Sequence, residues 1–157
     1  MTVGIGDVAP SFELEGTDGT EAGTRSYRLD EYAGQPVVLV FYPADNSRVC
    51  TRQLNSYTAE FDRFAAVDAA VLGISPQDVA SHAAFVREQG GFAFPLLSDL
   101  DKAVGSAYGV LGPIGFYKRS VFVVDESGII RYLHRATAGL TFRSTDEIVD
   151  AVRSLSG

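Results

Sequence analysis

The chemistry this chain could perform starts from one sulfur. Cys50 is the only cysteine in 157 residues. Just before it, residues 37–42 (VVLVFY) form an unbroken apolar run rich in β-branched and aromatic side chains. That is how a central strand buried on both faces reads. Pro43 cannot donate to a ladder and ends the strand. Residues 44–49 form a short polar loop. From Cys50 onward, Leu54, Tyr57, Phe61 and Phe64 recur at three- and four-residue steps, the stripe of an amphipathic helix. Cys50 is thus expected in the first turn of a helix, just beyond the end of a core strand. The first amides of a helix lack intrahelical partners and carry partial positive charge, so a thiolate placed there is stabilised. Arg48 and Arg52 flank the cysteine in sequence. The bland alternative is that a lone cysteine is a buried, inert apolar filler. The strand–proline–loop–helix setting favours the reactive reading. Ser47, three residues earlier, is either a simple N-cap or a hydroxyl that reaches back to the sulfur.

Residues 43–50 (PADNSRVC) have the pattern Pro-x-x-x-Ser/Thr-x-x-Cys. It resembles the active-site signature of the peroxiredoxins, and Phe41–Tyr42 and the following helix fit as well. Farther on, Arg119 opens a second apolar run, residues 120–124, that turns at Asp125–Gly128, which resembles the family's second signature. The resemblance runs from Gly6-Asp7-x-Ala9-Pro10-x-Phe12 to the C-terminal helix. It is greatest to the Q-type branch (bacterioferritin-comigratory proteins), and the C-terminal half also resembles the one-cysteine alkyl-hydroperoxide-reductase E type. The resemblance implies that Cys50 is the peroxidatic nucleophile, that Ser47 orients the peroxide, that Arg119 bonds the thiolate and a peroxide oxygen, and that Pro43 shapes and shields the loop. Cys50's own amide would be the backbone donor.

Three positions depart from the family pattern. Arg48 stands where proline is frequent, and Gln53 where glutamate is frequent. Asn55 stands five residues after Cys50, where the Q-type branch often carries its resolving cysteine. A sulfenic acid at Cys50 could not then be resolved within the chain. Turnover would take an external thiol (a low-molecular-weight thiol, or a glutaredoxin-like or thioredoxin-like reductant) or a disulfide between two chains. The expected assembly is a monomer or a homodimer.

Length and composition bound the rest. The chain is expected to be one domain over residues 1–157, with 46% hydrophobic and 21% charged residues, as in an ordinary globular protein. A net charge of −7 repels nucleic acid and anionic membranes. No apolar run approaches the ~20 residues of a membrane helix. No signal peptide is seen at the N-terminus, and a free thiol suggests the cytoplasm. His82 and His134 are the only histidines; with one cysteine they make a poor metal set, and no metal or cofactor is expected. His82 reads as a solvated helix residue and His134 as a strand end. Gly4-x-Gly6-x-x-Ala9 superficially matches a dinucleotide loop, but no strand precedes it and Pro10 blocks the helix, so it reads as a flexible lead-in.

The order of elements gives the fold. Residues 11–14 and 26–29 read as strands around a turn at 16–19, with one helical turn at 29–33. Beyond the Cys50 helix come a strand at 69–75, a helix at 78–89 ended by Gly90–Gly91, a brief strand at 94–97, a helix at 102–108, an apolar loop at 109–118, a hairpin of 120–124 with 129–134, a loop at 135–144 and a last helix from Thr145. This predicts an α/β, thioredoxin-like fold: three layers, α/β/α, around a central mixed sheet with an N-terminal β extension. Phe116 and Tyr117 either wall an apolar pocket or dimer contact, or pack on the core as loop residues. Asp99 with Asp101 reads as a turn rather than a calcium loop. The competing functional readings are a thioredoxin-fold redox sensor or scaffold with slow peroxide chemistry, and a structural domain with an inert cysteine.

Overall fold

The computed structural model describes residues 3–20, 23–45, 47–113, 115–136 and 142–156. Asn46 in the loop before the cysteine, Ile114, and residues 137–141 of the predicted 135–144 loop lie outside the described residues. The strands are β1 (Glu13–Thr17), β2 (Thr24–Arg28), β3 (Val37–Phe41), β4 (Ala70–Ser75), β5 (Leu96–Ser98), β6 (Ser120–Val124) and β7 (Ile130–Arg135). The helices are α1 (Arg48–Ala59), α2 (Phe61–Ala66), α3 (Val79–Gln89), α4 (Ala103–Ala107) and α5 (Thr145–Arg153). One mixed sheet has the order β2-β1-β5-β4-β3-β6-β7. This is the thioredoxin-like α/β fold expected from the sequence.

β3 is the spine because every residue of it is buried. It runs parallel to β4 and antiparallel to β6. Successive side chains point to opposite faces, so one strand feeds two cores. Val38, Val40 and Tyr42 join a cluster with Leu54 of α1, Phe64 of α2, Phe85 of α3 and Ile148 of α5. Val37, Leu39 and Phe41 join the other, with Tyr27, Tyr108, Tyr117 and Phe122. Each such side chain contributes about 1.5–3 kcal/mol on leaving water. The register pairs Phe41 with Ser120, so the carboxyl end of β3 and the amino end of β6 meet at one edge. That meeting brings Arg119 to the loop carrying Cys50.

Several local readings change. The helix after Cys50 is broken at Glu60 into α1 and α2; the apolar stripe continues across the break, and periodicity therefore does not reveal it. The first strand lies later than the expected 11–14 and the second begins earlier than the expected 26–29, because Gly16 and Thr17 belong to β1 and Thr24 and Arg25 to β2. A Cβ at Gly16 would lie 2.6 Å from the Leu96 carbonyl oxygen, so glycine there allows β5 to approach, not a turn. The lead-in is tethered: Gly6 N–H donates to the Ile130 carbonyl at 2.8 Å, and Val8 bridges Ile129. Tyr117 is buried and hydrogen-bonded to Asp99, whose carboxylate also accepts from the Val104 and Gly105 amides. Asp99 is thus a buried anchor for α4 and the following loop. Phe116 beside it is 67% exposed.

Gly16→Ala is expected to destabilise the protein by about 1–3 kcal/mol through overpacking against β5. Urea unfolding measures it, and an unchanged midpoint would contradict the close approach.

Candidate active site

Ser47 caps α1. Its backbone is extended (φ −71°, ψ 147°), and its Oγ accepts from the Cys50 amide at 3.2 Å. The amide expected to face a reacting oxygen is therefore held by the serine in this structure. Cys50 sits in the first turn of the helix, as predicted, with no accessible surface. Pro43 follows Tyr42 at the mouth of the loop and is half-buried. Arg48 is exposed, and the Arg52 guanidinium lies 5.9 Å from the Phe142 ring centre.

The buried cation comes instead from β6's amino end. Arg119 is 4% exposed, and its Nη1 donates to Gln53 Oε1 at 2.7 Å. The Gln53 amide nitrogen donates to the Tyr57 hydroxyl at 3.2 Å, and that hydroxyl donates to the Arg143 carbonyl at 2.5 Å. Each group has one direction available: a guanidinium only donates and a carbonyl only accepts, which fixes the orientation of the amide between them. Cys50, Gln53, Leu54 and Tyr57 are the buried residues of α1. Gln53 is thus one helical turn along α1 from Cys50 and is bonded to Arg119. The two sequence signatures, 69 residues apart by number, therefore meet at one site.

A second network lies behind the loop. Asp45 and His82 are paired with Nδ1 2.8 Å from Oδ2, their side chains 0% and 1% exposed for the histidine and aspartate respectively. Tyr42 and Ser81 donate their hydroxyls to the same carboxylate. His82 is thus a buried pair partner, not the solvated residue its polarity suggested. The signal was present in its spacing: it lies three residues after Val79 and three before Phe85, on the helix face turned to the core. Asn55, at the family's frequent resolving position, donates to Gln89 of α3 at 3.0 Å. Among the described residues no group of three His, Cys, Asp or Glu side chains could hold a metal ion, and no helix is long and apolar enough to cross a membrane.

The buried tyrosines remain neutral. Loss of hydration pushes the Tyr57 phenol up to about 12, opposed by its bond to Gln53 and the nearby Arg119 and Arg143 charges. Burial, reinforced by the Asp45 charge, pushes Tyr42 well above the ordinary tyrosine range.

Comparison with known proteins gives this site its context. Residues 5–133 match the model of the AhpC/TSA family. The chain belongs to that family, the peroxiredoxins. It is 34% identical to a 2-cysteine peroxiredoxin of Chattonella marina var. antiqua over 99% of this chain and 82% of that one. It is also 34% identical to peroxiredoxin Q of Triticum aestivum, over 84% of this chain and 59% of the other. Mycobacterium tuberculosis AhpC superposes with a TM-score of 0.90 at 26% identity, over 100% of both chains. As a peroxiredoxin the chain is a thiol-dependent peroxidase, an oxidoreductase.

The tyrosine environment has a measurable consequence. Tyr57 holds its proton in the folded protein above the ordinary value of 10, to about 12. Its raised value means that stability is full below pH 10 and falls as pH rises toward 12, because the unfolded chain loses that proton first. Two units correspond to about 2–3 kcal/mol. Urea unfolding as a function of pH should show this decline, to which the other buried tyrosines with raised values, Tyr42 among them, also contribute, and Tyr57→Phe should lessen its steepness by one proton's share. An equally steep decline in the variant would contradict the assignment.

Proposed function

We propose that Cys50 is the nucleophile of a one-cysteine thiol peroxidase acting on hydrogen peroxide and organic hydroperoxides. The observation that carries the reading is the meeting of two separated signatures: Arg119 is buried and bonded to Gln53, one turn along the helix that bears Cys50. The Cys50 thiolate attacks one oxygen of the hydroperoxide, the O–O bond breaks, and the departing oxygen leaves as water or an alcohol after taking a proton. Cys50 becomes a sulfenic acid. Arg119 has a permanent positive charge and a planar fork of donors, suited to the charge that develops on the departing oxygen. Ser47 accepts the Cys50 amide proton through its oxygen, and its own O–H proton remains to donate to a thiolate or peroxide oxygen. Pro43 closes the strand and covers the loop's mouth.

The chain has one cysteine, so the sulfenic acid is resolved from outside. A low-molecular-weight thiol, or a glutaredoxin-like or thioredoxin-like protein, supplies that sulfur. Asn55 at the Q-type resolving position and the similarity to a peroxiredoxin Q favour a Q-type relative that has no resolving cysteine. A free thiol in such a cycle fits a reducing compartment, and the cytoplasm is the proposed location.

Stopped-flow oxidation of reduced protein by hydrogen peroxide and by an organic hydroperoxide tests the reading. A fast phase is expected that Cys50→Ser abolishes and Arg119→Ala slows by about ten- to a thousandfold. Rates equal to those of a free thiol and indifferent to Arg119 would overturn it, in favour of a redox sensor or scaffold.

A further inference from the structure

The site poses a problem of access. Cys50 has no accessible surface, yet a reducing thiol must bring its sulfur into contact with the oxidised one. The loop that covers Cys50 must therefore open between the two half-reactions. What holds that loop shut is visible behind it. Among its described residues, Asp45 makes the loop's side-chain ties to α3, and it makes them with a buried carboxylate. Oδ1 accepts from the Tyr42 hydroxyl at 2.8 Å, and Oδ2 accepts from the Ser81 hydroxyl at 2.7 Å. The His82 ring lies with Nδ1 3.0 and 2.8 Å from the two carboxylate oxygens, and 3.4 Å from the Tyr42 hydroxyl oxygen.

The other end of the ring settles its proton. His82 Nε2 is 3.0 Å from the Leu97 carbonyl oxygen in β5, which can only accept, so Nε2 carries hydrogen. Nδ1 faces the carboxylate, so one further proton lies between histidine and aspartate. The two hydroxyl donors favour the ionised carboxylate and place that proton on the ring. The loop is thereby tied through Asp45 to α3, and through His82 to the sheet, by an ion pair with no exposure to water. Breaking it without solvating both partners is costly, whereas an opened loop exposes Asp45 to water. Farther along α1, Asn55 is separately bonded to Gln89 of α3. That second tie leaves the later turns of α1 docked when the loop and the first turn move.

We propose that the Asp45–His82 pair is a latch that sets how often the Cys50 loop opens, and so the rate at which an external thiol reduces oxidised Cys50. The proposal rests on the peroxidase reading for its chemistry. In the reduction step the external thiol gives up its proton, its sulfur bonds to the Cys50 sulfur, and the sulfenic hydroxyl leaves as water. A second thiol then releases Cys50. Asp45 and His82 are positioning residues, since they act on the loop and not on the peroxide.

The test compares the wild type with Ser81→Ala, which removes one hydroxyl from a half-buried position, and with Asp45→Asn, which removes the charge. Three rates are measured for each: labelling of reduced Cys50 by a bulky maleimide, oxidation by hydrogen peroxide, and reduction of the sulfenic acid by dithiothreitol. The expected result is that labelling and reduction both accelerate by about tenfold in Ser81→Ala, the value of one hydrogen bond to a charged group. They accelerate further in Asp45→Asn. Oxidation by hydrogen peroxide, which needs a smaller opening, accelerates less than labelling or reduction does. Nitrogen NMR of the wild type should show both His82 ring nitrogens protonated. Unchanged labelling and reduction in Ser81→Ala would overturn the latch, as would acceleration matched by an equal loss of global stability in urea. If Asp45→Asn does not fold, Ser81→Ala decides alone. Failure of the peroxidase reading is separate: a wild type inert to peroxide would still be labelled, and the labelling rates would still test the latch.

Discussion

The whole arrangement depends on β3 being buried on both faces. A strand with apolar neighbours above and below has no solvent edge at which to end gently. It stops at Pro43, and the chain must return to the core within a few residues to begin α1. The Cys50 sulfur is placed by that return. Since β3 pairs with β6 as well as β4, the edge at which it stops is also the edge at which β6 starts. A cation at the start of β6 and a thiol at the start of α1 are therefore brought to the same place by one pairing.

Placing charged groups there carries a cost that the surroundings must offset. Arg119 is buried, and its guanidinium is met by the amide oxygen of Gln53 at 2.7 Å. A neutral acceptor satisfies that donor without itself cancelling the positive charge. The Asp45–His82 pair has the opposite design, because its charges are matched to each other and to hydroxyls. One network meets a buried charge with a neutral amide and the other meets it with an opposite charge.

The sequence made the local features legible. The apolar run before Pro43, the cap at Ser47, the cysteine in the first turn and the hairpin of β6 and β7 all follow from adjacent residues and their periods. The features that were misread depend on distant partners. His82 lies 37 residues from Asp45, and its polarity suggested water until the pairing partner was placed beside it. Gly16 looked like part of a turn because its neighbours are turn formers; only the approach of β5, from about eighty residues on, shows why a strand needs glycine there. The break at Glu60 was hidden because the apolar stripe continues through it. The direct bond between Gln53 and Arg119 could not be read from either residue alone, since it follows from the β3–β6 register.

The most direct measurement is the mass of the intact protein and of its Cys50 peptide after one equivalent of hydrogen peroxide, followed by addition of a thiol. The account predicts that Cys50 gains one oxygen, that no disulfide forms within the chain, and that the thiol removes the oxygen through a mixed disulfide. An unmodified Cys50, with oxidation found on Met1 or nowhere, would contradict it.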